Sequence, residues 1–275
     1  MKKILFLLFI FFTSLAFAKP IIIVSILPQK TFVQKITKDM ADITVMVEPG
    51  NSPHSYEPKS SQMIAVSKAD IYFSIGVEFE NVWLSKIKSQ NSNLTFINIS
   101  DNIPKIAIKK DNHKHNNNDP HIWTSPKNVE IMANSIYKAL ITVDPKNKNL
   151  YKSNFDDFIK EIRDTDAQIK EILKETEPKS KFMVFHPSWG YFANEYNLTQ
   201  IAVEVEGKEP KPKEMIKIID EAKKENIKVI FTQPEFSDKS AQIIAKEAGV
   251  VVKKISPLNP NWSQNLINMA KAIAN

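Results

Sequence analysis

Five histidines stand in this chain, His54, His113, His115, His121 and His186, and three of them share a setting. His54 follows Asn51-Ser52-Pro53, His121 follows Asp119-Pro120, and His186 precedes Pro187, each at the end of an expected strand or in the loop after it. Proline fixes its own φ and biases its predecessor toward extended backbone, so these three rings sit on stiffened loops and not on helix faces. Loops at the carboxyl ends of parallel strands are where α/β proteins bind small ligands. Neutral imidazoles suit zinc, copper, iron or nickel. Taken singly, a histidine beside a proline is more often a turn residue with a satisfied ring than a ligand. The separations, 67 residues from His54 to His121 and 65 from His121 to His186, carry no short-range metal signature. Pattern alone leaves both readings open.

The elements that must carry these loops alternate. Short β-branched or apolar runs at Ile21 to Ile26, Ile43 to Val47, Ile71 to Ser74, Leu94 to Ile97, Phe182 to Phe185, Lys228 to Thr232 and Val250 to Ile255 read as buried strands. Helical periodicity lies between most of them, which predicts α/β units with a mostly parallel sheet. One stretch breaks the alternation. From Lys148 to about Glu177 there is no strong turn signal for some 30 residues, and Phe155, Phe158, Ile159, Ile162, Ile169, Ile172 and Leu173 recur mostly three and four apart. This predicts a single amphipathic helix of about 45 Å, opened by Asp144-Pro145 and ended by Pro178. Strands flank it on both sides, and its length favours a rigid connector over an outer helix of one sheet.

The chain has 275 residues, 43% hydrophobic and 25% charged, enough for one large domain or two smaller ones. Its 37 basic residues are scattered among 31 acidic ones, so the formal charge of +6 describes a solvated surface and no nucleic-acid partner is expected. Lys2 and Lys3, the apolar run Ile4 to Phe12 and the small-residue site Ala16-Phe17-Ala18 read as a cleaved secretory signal peptide over residues 1–18. No cysteine is present, which excludes disulfides, thiolate metal sites and a lipidated cysteine. The polar segment KKDNHKHNNND, holding His113 and His115, reads as a surface loop. Glu78 and Glu80 read as surface or hinge-facing.

Three blocks, NSPHSYEPKSSQMIAVSKADIYFSIGVEFENVWLSKI, DPHIWTSPKNVEIMANSIYKAL with DPKNKNLY, and HPSWGYFANEYNL, resemble in order and spacing those of the substrate-binding proteins of high-affinity zinc and manganese ABC transporters. The similarity runs through essentially the whole chain after residue 18. It implies two α/β lobes with mostly parallel sheets, joined by one long rigid α-helix, with a metal site in the interlobe cleft. The expected divisions are residues 19–147, the connecting helix 148–178, and residues 179–275. The resemblance implies His54 and His121 as ligands from the first lobe and His186 from the second. Manganese-binding members usually carry a carboxylate at the position of His186, so a third imidazole favours Zn2+, as transported ligand, over Mn2+. The implied partner is an inner-membrane ABC permease, the implied location the periplasm, and the simplest state a monomer.

Two departures from the family pattern bear on the site. Where the family often has an aspartate ligand, this chain reads Ile255-Ser256-Pro257-Leu258, and Ser256 is a poor zinc ligand. Three histidines plus a water are expected, or a fourth ligand from Glu235 in TQPEFSDKSA. The family's histidine-rich loop is reduced to His113 and His115, which would hold zinc weakly or belong to a solvated linker. Three neutral imidazoles leave the +2 charge of the ion in place, and each ring is expected to give its second N–H to a carbonyl or carboxylate. Rival readings are a manganese or iron receptor, a three-histidine zinc enzyme with Glu235 as base, and an interaction module or adhesin. No HExxH, GxSxG, GxGxxG or P-loop supports the enzyme.

Overall fold

The computed structural model describes residues 19–107, 118–205 and 207–274. The expected signal peptide and the loop histidines His113 and His115 lie outside the described residues. In chain order the first half runs β1 (Ile21–Val24), α1 (Leu27–Thr37), β2 (Asp42–Val45), α2 (Ser60–Ser67), β3 (Ile71–Ser74), α3 (Glu78–Gln90), β4 (Thr95–Asn98) and α4 (Pro126–Val143). The long helix α5 spans Lys148–Ile172. Then come β5 (Lys181–Val184), α6 (Gly190–Glu195), β6 (Thr199–Ala202), α7 (Pro212–Lys224), β7 (Val229–Thr232), α8 (Lys239–Ala248), β8 (Val251–Lys254) and α9 (Trp262–Ala274). No helix among the described residues is long and apolar enough to cross a membrane.

The strands form two four-stranded sheets, ordered β2-β1-β3-β4 and β6-β5-β7-β8. Every pairing is parallel. The same wiring is used twice, although no repeat is visible in the sequence. In each sheet the order reverses between its two central strands, β1 and β3 in one, β5 and β7 in the other. The crevice at the carboxyl ends of strands at such a reversal is where open α/β sheets bind ligands. His186 follows β5, and Gln233 and Glu235 follow β7, so they stand at the reversal of the second sheet.

All seven expected strands are present; β6 is the addition. Its sequence TQIA is half-buried throughout and has no continuous apolar run, so neither strand template picks it out. The long helix is shorter than its periodicity suggests. It ends at Ile172, and Leu173 to Thr176 close in turns, with Thr176 N–H donating to the Leu173 carbonyl at 2.9 Å. At 1.5 Å per residue the 25-residue helix is about 37 Å long, not 45. The chain thus leaves the helix before Pro178 forces it to.

What makes α5 rigid is its packing. Its buried residues Tyr151, Asn154, Phe158, Ile162, Thr165 and Ile169 form one stripe at three- and four-residue spacing. That stripe meets α1, α4 and α9. Phe32 of α1 stacks on Phe158 at 5.8 Å and meets the edge of Trp262 of α9 at 5.7 Å. One apolar core therefore runs from the first sheet through α5 and α9 into the inner face of the second sheet, where Phe182, Val184, Val229 and Phe231 join it. The alternate residues Met183, Phe185 and Ile230 point into a smaller core under α7 and α8, as the two-residue period of a strand requires.

Trp262 joins the two ends of this core, and its indole Nε1–H also donates to the buried Trp123 carbonyl at 2.7 Å. Replacing Trp262 by Ala should lower the unfolding free energy by about 3–5 kcal/mol. Urea unfolding followed by far-ultraviolet circular dichroism measures this, and a loss below about 1 kcal/mol would contradict the shared core.

Candidate metal centre

His54 sits in the turn between β2 and α2, where its N–H donates to Ser52 Oγ at 3.3 Å. Gln62, buried at the start of α2, pins both ends of this turn. Its amide donates to the carbonyls of Val45 and Met46 at 2.9 and 2.7 Å, and its oxygen accepts from Lys59 N–H at 2.9 Å. His121 opens a short 3₁₀ turn, Ile122–Thr124, that leads into α4. Ser125 caps α4 by accepting from Asn128 N–H, and Pro126 occupies the first helical turn. His186 leaves β5 with its carbonyl accepting from the Gln233 amide at 3.1 Å, while the same amide also donates to Ser188 Oγ at 2.8 Å.

These three loops bring the imidazoles together. The rings of His54 and His186 are 5.0 Å apart, those of His121 and His186 5.3 Å. His54 Nε2 faces His186 Nε2 at 3.3 Å. Two nitrogens on one tetrahedral zinc, each about 2.0–2.1 Å from the ion, are themselves about 3.3 Å apart. No group of three or more His, Cys, Asp or Glu side chains among the described residues is already arranged as it would be around an ion. The histidines make ring contact in series, His54 to His186 to His121.

Behind each ring stands a carboxylate. His121 Nδ1 bonds Asp119 Oδ1 at 2.8 Å, and the same oxygen accepts from His121 N–H at 2.9 Å. His186 Nδ1 bonds Glu204 Oε1 at 3.1 Å, and His54 Nδ1 lies 3.4 Å from Glu78 Oε1. A carboxylate only accepts, so the neutral rings of His121 and His186, bonded to one, carry their hydrogen on Nδ1 and leave Nε2 as a lone pair. His54 and His186 present Nε2 to each other, a contact that a proton on His54 Nε2 or a shared cation satisfies. Carboxylate, histidine and metal in line is the usual support of a metal-ligating imidazole.

The cavity among the rings has a volume of about 20 Å³ and is also lined by Trp123, Glu235 and Phe236. That is room for one water-sized sphere, since a water needs at least about 10–15 Å³ by this measure. Glu235 accepts from Ser256 Oγ at 2.9 Å. Burial pushes its carboxyl above the usual carboxylate range, with His186 opposing. Ser256 lies behind Glu235 and outside the cavity wall. Burial also holds the His54 imidazolium below its ordinary range, with Glu78 opposing and the neighbouring His186 and His121 adding to the effect.

Three features add to or differ from the expectations drawn from sequence. Glu78 lies at the surface, its side chain 40% exposed, and there also faces His54. Glu80 is buried, 6% exposed, with its carboxylate accepting from Ser25 Oγ and from the N–H groups of Ile75 and Gly76. It braces the turn from which Glu78 projects. The charge balance also changes, because Asp119, Glu204 and Glu78 put three carboxylates against the rings, and a bound dication no longer keeps an uncompensated +2. Asp119 was legible two residues before His121, as a side chain that bonds the backbone two residues on. Glu204, 18 residues beyond His186, has no local signal.

Compared with known proteins, the chain matches the family model described as zinc-uptake complex component A, periplasmic (ZnuA), over residues 22–275. It is 26% identical over 250 residues to the high-affinity zinc uptake system protein ZnuA of Bacillus subtilis strain 168, covering 86% of this chain and 78% of that protein. It is 27% identical over 266 residues to the zinc-binding protein AdcA of Streptococcus pyogenes serotype M3, covering 89% of this chain; the chain spans about half of that relative, 51% of its length. Among solved structures, a crystal structure of ZnuA superposes with a TM-score of 0.87 at 41% identity, over 94% of this chain and 99% of the other.

The depressed His54 has a consequence for stability. A histidine whose folded value lies below its unfolded one is protonated first in the unfolded chain. Its effect is therefore absent above about 6.5 and destabilises the metal-free protein increasingly as pH falls below that value. Titration by nuclear magnetic resonance should give a His54 midpoint below that of a free imidazole, in step with a fall in unfolding free energy. A midpoint at or above the free value contradicts the burial argument.

Proposed function

This chain belongs to the zinc-uptake complex component A family, and we propose that it captures Zn2+ outside the cytoplasmic membrane and delivers it to the permease of an ABC transporter. The observation that carries the reading is the His54–His186 pair, with Nε2 atoms at the edge length of a zinc tetrahedron and a carboxylate behind each ring. His54, His121 and His186 are the proposed ligands, with Glu235 or a water as the fourth. Ser256 serves Glu235 as a hydrogen-bond donor and is not itself a ligand in this reading.

Each residue's part follows from its chemistry. Imidazole nitrogen is a borderline-soft donor suited to zinc, whereas manganese prefers oxygen ligands. The cavity among the rings, about 20 Å³, is of the size a single ion or water fills. Dehydration of the ion is offset by the three imidazoles together with the charge of Asp119, Glu204 and Glu78 behind them. His54 and His121 come from the first lobe and His186 and Glu235 from the second, so a bound ion ties the lobes together. A permease can then distinguish loaded from empty protein by how firmly the lobes are held.

The proposed divisions are a signal peptide over residues 1–18, cleaved on export to the periplasm, lobes over residues 19–147 and 179–275, and the connector 148–178. In this division α9 belongs to the second lobe by sequence yet packs on the connector. A monomer suffices, since all four proposed ligands lie in one chain, and no nucleic acid takes part.

Metal-stripped protein titrated with zinc and manganese in competition, with bound metal counted by mass spectrometry, tests the reading. One zinc per chain is expected, in preference to manganese, with affinity falling as pH drops below about 6.5 because the rings must be deprotonated. His186→Ala should abolish stoichiometric binding. Glu204→Gln, which leaves the ring without its carboxylate, should weaken it by about 10- to 100-fold. Manganese held more tightly than zinc would overturn the metal assignment while leaving a receptor, and no stoichiometric metal would overturn both.

A further inference from the structure

Gly190 is the first residue of α6, in the second lobe, and its Cα is pressed against a side chain of the first. A Cβ built on Gly190 would lie under 3.0 Å from Asp119 Oδ2, a separation real Cβ atoms essentially never show, and 3.2 Å from Gln200 Nε2. Asp119 is the residue that orients His121, and it is 2% exposed. Its other oxygen, Oδ1, is committed twice, to His121 N–H at 2.9 Å and to His121 Nδ1 at 2.8 Å. The backbone of Gly190 adopts no left-handed conformation. The glycine is therefore required by the close approach and not by its own dihedral angles.

The contact belongs to a wider seam. Tyr191 Oη accepts from Ile106 N–H at 3.2 Å, across the lobes from α6 to the chain that leads toward Asp119. Ser125 Oγ, at the cap of α4, donates to Glu195 at the far end of α6. Both ends of the short helix are thus bonded to the segment that carries His121, and Trp189 N–H is held by Gln200 Oε1 at 3.0 Å. On the Asp119 side, the carboxylate can clear a methyl group at Gly190 only by giving up the hold of its Oδ1 on His121. Restoring an ordinary van der Waals distance would require about 1 Å of movement. A carboxylate that turns by that amount withdraws Oδ1 from His121, and metal-ligating groups must be held to within about 0.5 Å to act together.

We propose that Gly190 is a positioning residue of the metal centre: its bare Cα lets the second lobe close on Asp119 and so fixes the ring of His121 toward His186. The inference rests on the receptor reading above and adds to it a steric condition that the ligands alone do not contain. It also makes the lobe interface part of the site, because the support of a first-lobe ligand is locked by a second-lobe backbone.

The test compares wild type, Gly190→Ala, Asp119→Ser and the double variant Gly190→Ala/Asp119→Ser. Each is stripped of metal and titrated with zinc against a chromophoric chelator, and thermal melts of the metal-free forms are recorded alongside. Gly190→Ala should bind zinc about 10- to 100-fold more weakly than wild type. In the Asp119→Ser background, where the shorter side chain leaves room for a methyl group, the same change should cost less than about threefold, as for uncoupled sites. Gly190→Ala binding as wild type does, or an equal penalty in both backgrounds, overturns the proposal and assigns Gly190 to packing alone. If Gly190→Ala does not fold, a folded double variant supports the steric couple and an unfolded one overturns it. Failure of wild type to hold stoichiometric zinc sinks the receptor reading itself, a result distinct from any difference among the variants.

Discussion

The Nε2 atoms of His54 and His186 face each other across 3.3 Å, with Nδ1 of His186 bonded to Glu204 and Nδ1 of His54 3.4 Å from the Glu78 carboxylate. Glu78 and Glu204 flank these two rings, and their own positions are set by the ends of different strands. The fold thereby sets two imidazole nitrogens side by side before any ion is bound. Such preorganisation moves the cost of assembling ligands from the moment of capture to the folding of the chain.

Folding meets that cost through a core that does not respect the two sheets. Phe32, Phe158 and Trp262 join α1, α5 and α9 in one packed unit, and the inner face of the second sheet belongs to the same apolar body. Polar contacts reinforce it: the buried Trp123 Nε1–H donates to the Pro257 carbonyl at 2.8 Å, and Thr165 bonds Ser263 at its part-buried edge. Close-packed interiors resist deformation, so this shared core ties the two sheets firmly together.

The seam at α6 extends the same principle to the ligands. His121 is buried and braced from both lobes, His186 is clamped by Gln233 and stacked on Phe236 at 4.8 Å, whereas His54 stands on an exposed turn with a third of its side chain open to solvent. The three proposed ligands thus differ in exposure, and His54 is the one nearest bulk water.

Local signals in the chain dictate the alternation of parallel strands and helices, the presence of a long central helix and the three histidine loops, because buried strands, amphipathic periodicity and proline-stiffened turns are each written within a few neighbouring residues. Matched blocks around His54, His121 and His186 carry the family and with it the metal. Local signals do not carry β6, whose half-buried TQIA lacks an apolar run, or the early end of α5, which is set by turns after Ile172 and not by Pro178. Nor do they carry most partners of the rings. Asp119 stands two residues from its histidine, but Glu78 and Glu204 lie 24 and 18 residues from theirs and meet them only where strand ends converge. The close approach of Gly190 to Asp119 crosses from one lobe to the other. Which carboxylate backs which imidazole, and which glycine makes room for it, is decided by packing between elements distant in the chain, and no spacing within one element encodes that.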